Sequence, residues 1–144
     1  MNPREFLGSA LRLATSTEEA DWRSAVSRAY YAAFHVACQL MEGFGFTVPN
    51  ADRAHGYHWL RLQNCGDAPV ETAGRDLNDL RSERNRADYN LRRPINQRRT
   101  QALTGIAQGI IQTLDTIVEP TRSQIINAMK LYEQNVLRDV TWHP

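Results

Sequence analysis

The stretch WRSAVSRAYYAAFHVACQLM, residues 22–41, has no glycine or proline and is built on alanine. Alanine has the best helix propensity, and its short side chain lets a neighbouring helix approach closely. Glu18 and Glu19 precede the stretch, where negative charge favours a helix start, and Ser16 and Glu19 have capping-box spacing. Gly43 and Gly45 follow it. The reading predicts one long helix from about Thr17 to Met41.

Working outward, each flanking segment is also helical. Asn2-Pro3 reads as a cap and first helical residue, followed by the apolar stripe Phe6, Leu7, Ala10, Leu11 and Ala14. Pro49-Asn50 restarts a third helix over roughly Ala51 to Gln63, stopped by Asn64 and Gly66. A fourth spans about Pro69 to Arg92 and ends against Pro94. Asn96 caps a fifth with the stripe Leu103, Ile106, Ile110, Leu114 and Ile117, in which Gly105 and Gly109 suggest a tight helix crossing. Pro120-Thr121 precedes a sixth through Ile125, Met129, Tyr132 and Val136. No alternating strand pattern and no repeat at a fixed period occurs. The expectation is all-α: a single-domain antiparallel bundle of four to six helices over residues 1–144.

Composition agrees with a packed domain. Of 144 residues, 42% are hydrophobic and 23% charged, so a core can be buried and the chain is not of disordered composition. No apolar run approaches the roughly 20 residues of a membrane span. The opening residues lack a basic segment followed by an apolar block, and two cysteines, Cys38 and Cys65, are too few for a disulfide framework. A cytoplasmic protein without membrane contact is expected. Cys38 is expected in the core and Cys65 in a loop.

Net charge is +1, but its make-up is uneven: sixteen arginines and one lysine, Lys130. Seven arginines (81, 84, 86, 92, 93, 98 and 99) fall in residues 81–99, opposed there only by Glu83 and Asp88. Arginine suits bidentate contact with phosphate, so this segment is a candidate phosphate-binding face; an ordinary solvated helix face is the alternative.

The fourth helix carries an anomaly. At about 100° per residue, Arg84 and Asp88 each fall about 20° from Leu77, inside the sector of Val70, Ala73, Leu80, Ala87 and Leu91. An arginine and an aspartate thus occupy an apolar stripe, four residues apart and close enough to pair. Burying charge costs several kcal/mol per ion before compensation. The pair is either a tether that fixes helix packing or the wall of a cleft. On the long helix, Ser24, Arg28, Tyr31 and His35 repeat at spacings of four, three and four and share a face, with Tyr30, Phe34 and Met41 beside it. That face either makes hydrogen bonds across the bundle or lines the same cleft.

RSAVSRAYYAAFHVA (23–37), AHGY (54–57) and RNRADYNL (84–91) together resemble the HEPN family of prokaryotic helical domains, in the branch with a Ser-Arg-x-Tyr-Tyr-Ala helix and a later Arg-x-x-Ala-Asp-Tyr motif. The match covers about half the chain, Trp22 to Leu91. The resemblance implies a helical bundle that forms a homodimer, with the late motif of both subunits in a shared cleft. Many HEPN proteins are metal-independent ribonucleases of toxin–antitoxin, CRISPR-linked or anti-phage systems; others bind nucleotides or partner small nucleotidyltransferases. Nuclease members use an arginine, a following polar residue and a histidine four to six residues beyond. Arg84 and Asn85 match the first two. In place of the histidine stands Tyr89, and an ordinary phenol with a pKa of about 10 is a poor base at pH 7.

Three readings follow. The first is a binding module that engages RNA, nucleotide or a nucleotidyltransferase through Arg28, Tyr31, His35, His55 and Arg81 beside Arg84. The second is a divergent ribonuclease using Arg84, Asn85, Asp88 and Tyr89, helped by His35 or His55. The third is a structural subunit in which Arg84 and Asp88 only lock packing. A second arginine–histidine pair, Arg53 and His58, lacks the Arg-Asn context. His55 and His58 have no acidic or cysteine partners at zinc spacing, so neither a metal nor a cofactor is expected.

Overall fold

The computed structural model describes residues 1–50 and 52–144. Among them are six α-helices: α1 (Arg4–Leu13), α2 (Glu19–Gly43), α3 (Asp52–Leu62), α4 (Ala68–Tyr89), α5 (Gln97–Asp115) and α6 (Thr121–Tyr132). A π-helical turn, Glu133–Leu137, follows α6. No strand occurs among the described residues; Phe46 and Trp142 form a lone antiparallel bridge. Ala51, where the sequence places the start of the third helix, lies outside the described residues.

The alanine-rich α2 is the central element, packing against α1, α3, α4 and α5. Ala25, Ala29, Ala32, Ala33 and Ala37 are buried along it. Side chains from all six helices contribute to one core, including Leu77 and Leu80 of α4, Leu103 and Ile110 of α5 and Met129 of α6. Each such side chain contributes roughly 1.5–3 kcal/mol by leaving water. No described helix is long and apolar enough to cross a membrane.

Several local expectations change. Asn2 does cap α1, its Oδ1 accepting from the Arg4 N–H at 3.0 Å. The capping box at Ser16–Glu19 does not form: Ser16 Oγ accepts from the Glu18 N–H at 3.2 Å, and Glu19 is drawn away to Arg23 and the Ile95 N–H. The fourth helix stops at Tyr89, capped at Asn90, which leaves Leu91 73% exposed instead of in the stripe. Gly105 and Gly109 face open space and mediate no crossing. The close approach is at Gly74, where a Cβ would lie 2.6 Å from the Gln63 backbone nitrogen and 2.9 Å from Leu62 Cβ, so α3 and α4 meet there. Glu133, four residues beyond the buried Met129, is itself buried, whereas Val136, expected in the apolar stripe, lies in the π-helical turn and is exposed. Cys65 does lie in the connection after α3, where burial pushes its thiol up to about 11, whereas Cys38, expected in the core, is only half-buried against it.

The buried Glu133 anchors the C-terminal segment. Its carboxylate takes Arg61 Nε at 2.9 Å, the Thr141 N–H at 2.9 Å and the Trp142 N–H at 3.2 Å. Trp142 then donates to the Phe44 carbonyl at 2.8 Å and packs on Gly45, whose φ of 101° and lack of a Cβ permit the contact.

Candidate functional site

Arg84 projects from the apolar face of α4, as the helical arithmetic requires, and is only 8% exposed. It donates no hydrogen bond to any described residue, and its buried Nε has no partner. Asp88 lies 3.7 Å from its Nη1, beyond a good hydrogen bond, and instead accepts from Ser27 Oγ at 3.2 Å. The guanidinium is held by aromatic rings of α2, with its Cζ 5.4 Å from the centre of Tyr30 and 5.3 Å from that of Tyr31. Contacts of this kind contribute about 0.5–2 kcal/mol each.

Tyr31 is the meeting point. Besides Arg84, its ring has Arg28 Cζ at 5.8 Å, the His35 ring at 6.1 Å and the His55 ring at 6.2 Å. Arg28 also covers Phe6 of α1 at 5.3 Å, and Phe6 stacks on His35 at 5.9 Å. On the other side, His55 of α3 stacks on Phe34 at 4.6 Å, and its Nδ1 lies 2.6 Å from the Tyr30 hydroxyl. The structure therefore gathers Arg28, Tyr31, His35, His55 and Arg84 from three helices into one cluster.

The electrostatics fit a site that keeps its imidazoles neutral. Burial lowers the pKa of both His35 and His55; for His55 the positive charges of Arg84 and Arg81 lower it further. Burial raises the Tyr30 phenol, so it stays protonated and able to donate. Arg81 thus acts on this cluster through its field, on Tyr30 and His55 alike. His35 and His55 also line an open cleft of about 600 Å³ between the start of α1, α2 and the start of α3, with Phe6, Phe34 and Cys38.

Asn85 and Tyr89 stand apart from this arrangement. Both are exposed, Tyr89 at 77%, on the face of α4 next to the one carrying Arg84 and Asp88. Ser24, expected on the polar face of α2, is exposed, and Ser27 supplies the hydroxyl that reaches α4. The Arg53–His58 pair is not assembled: Arg53 is exposed, while His58 is in the core with Nε2 3.0 Å from Cys38 Sγ. No three His, Cys, Asp or Glu side chains among the described residues are grouped to hold a metal.

No protein-family model, curated protein or solved structure matches the chain.

Sequence reasoning missed Ser27, Phe6 and the part played by the Tyr30 hydroxyl. Ser27 had a signal, being a hydroxyl in a run of Ala and Val opposite a helix with an aspartate in its apolar sector. Phe6 had none, since an aromatic in an amphipathic stripe reads as core.

Proposed function

We propose that the protein is a phosphate-binding helical module of the HEPN type, an antiparallel bundle that works as a homodimer in a prokaryotic defence or toxin–antitoxin system. The ligand is RNA or a nucleotide, held at the Arg84 cluster. One observation carries this reading: a buried arginine left without a hydrogen-bond acceptor and held in place by two tyrosines. An arginine that served only packing would be expected to meet its carboxylate in a fork, which matches guanidinium geometry best. Here the acid is turned toward Ser27 and the guanidinium makes no hydrogen bond within the fold, which leaves its terminal Nη groups, not the buried Nε, for an incoming oxyanion. Tyr31, His35 and Phe34 supply flat faces for bases beside it. A small nucleotidyltransferase is the protein partner to which the HEPN resemblance points.

The proposal is tested by fluorescence anisotropy with single-stranded RNA at rising salt, alongside sedimentation to measure the dimer. Binding that weakens as salt rises supports it; no binding at low salt by dimeric protein contradicts it.

A second reading is favoured by the position of His55. Arg84 and a neutral imidazole share Tyr30; with its Nδ1–H donated to the Tyr30 oxygen, His55 keeps Nε2 free to act as the base in metal-independent RNA cleavage, in place of the histidine missing after Arg84. Cleavage in EDTA that is lost in His55→Gln would establish this; uncleaved RNA would leave binding alone.

A further inference from the structure

The arginine-rich stretch does not serve one surface. Arg81 and Arg84 act on the aromatic cluster, whereas Arg86, Arg93 and Arg99 turn to a separate cavity of about 440 Å³ between the end of α4, the 90–96 loop and the start of α5. Arg23 of α2 and Glu83 complete its charged lining.

This cavity is built, not a chance gathering of surface arginines. The Arg23 side chain is 12% exposed. It donates to the carbonyls of Ala87 at 2.9 Å, Asn90 at 3.2 Å and Arg93 at 2.6 Å, and to Glu19 at 2.7 Å. Those bonds fix the turn from α4 and hold Arg93 at the cavity. The Arg93 guanidinium has no hydrogen-bond or ion-pair partner among the described residues, whereas Arg86 and Arg99 share Glu83, at 3.4 Å and 2.9 Å. With Arg23 taken up by Glu19 and these carbonyls, three further guanidiniums thus face one lining carboxylate. Asn96 caps α5 through the Arg99 N–H at 2.8 Å, and no acidic residue occupies the first turn of that helix. The lining lacks the aromatic rings that mark the Arg84 cluster, so it is suited to a compact, multiply charged anion and not to a base.

We propose that this cavity is a second anion site that takes a terminal phosphate or polyphosphate, the group shared by free nucleotides and by the 5′ end of an RNA. Arg93 and Arg99 are its principal ligands, and Glu83 is an internal competitor that occupies Arg86 and Arg99 when the site is empty. The proposal does not depend on the function assigned to Arg84.

Inorganic pyrophosphate, titrated calorimetrically into the full chain, is the first probe. Arg93→Ala removes a guanidinium that makes no hydrogen bond or ion pair in the fold and is expected to weaken binding about tenfold, the effect of one charge-assisted contact. Glu83→Gln is expected to tighten binding several-fold, because it frees two arginines. Arg75→Ala, an exposed arginine of α4 that bonds only Thr72 of its own helix and lies outside the cavity, is expected to leave the pyrophosphate affinity unchanged. Displacement of pyrophosphate by 5′-phosphorylated but not 5′-hydroxyl RNA would identify an RNA end as the source, and displacement by ATP alone would identify a free nucleotide. Absence of pyrophosphate binding by the wild-type chain would overturn the proposal. So would loss of binding in Arg84→Ala with none in Arg93→Ala.

Discussion

The Arg84 guanidinium lies 5.3 Å from the ring centre of Tyr31, while Asp88, the carboxylate nearest it on α4, stands 3.7 Å from its Nη1 and accepts its hydrogen bond from Ser27 instead. The charge is positioned by flat aromatic surfaces, which suit a planar delocalised cation and not a compact ammonium. Arg84→Lys is therefore not conservative. It is expected to weaken RNA or nucleotide binding about tenfold while the far-ultraviolet circular dichroism is unchanged. Equal affinity in the lysine variant would mean that only the charge matters.

Two glycines should respond in opposite directions to the same change. Gly74→Ala drives a methyl into the Gln63 backbone and Leu62, and is expected to lower stability by about 1–3 kcal/mol. Gly109 is within α5 with open space around it, so Gly109→Ala is expected to raise stability by about 0.5–1 kcal/mol through helix propensity. Urea denaturation of both variants gives the signs directly.

The Arg61–Glu133 pair is buried on both sides, and Tyr57 packs on the Arg61 guanidinium at 3.6 Å. Glu133→Ala strands that charge and frees the Thr141 and Trp142 N–H groups, for an expected loss of about 3–5 kcal/mol. Replacing both partners, Arg61→Met with Glu133→Leu, should cost less than the single change. Thermal melts of the two variants compare them.

His58 makes stability sensitive to acid. Burial, then the fields of His55 and Arg61, pull its imidazole down to about 3, against about 6.5 in an unfolded chain. Between those values the unfolded chain binds the proton more readily, so acid favours unfolding. This contribution is complete above about pH 6.5 and is lost as pH falls toward 3. His58→Gln should have a shallower fall in melting temperature than wild type from pH 6.5 to 4; parallel curves would remove His58 as the cause.

Much of the fold was legible because helix signals are local. Asn2, Asn96 and Pro94 mark boundaries near where the chain turns, and the stripe of α4 holds Arg84 in the buried sector, where periodicity puts it. What was not legible depends on neighbours. Gly105 and Gly109 have the spacing of a crossing motif, yet no helix approaches them, while the single Gly74 carries the contact that matters. Glu133 falls four residues after the buried Met129, on the core side of α6, but nothing local to it supplies Arg61 as its partner. The site was half legible for the same reason. Arg28, Tyr31 and His35 share a face by spacing alone, but only α3 packing brings His55 to Tyr30, and Asn85 and Tyr89 lie close to Arg84 in sequence without facing its cluster.

The proposed phosphate binding rests on Arg84. The most direct test is the affinity of Arg84→Ala for single-stranded RNA and for ATP at low and moderate salt, with the melting temperature recorded in parallel. Affinity is expected to fall tenfold or more and the salt slope to decrease, with the fold retained. A lower melting temperature with unchanged affinity and salt slope would contradict it, and would return Arg84 and Asp88 to a purely structural role.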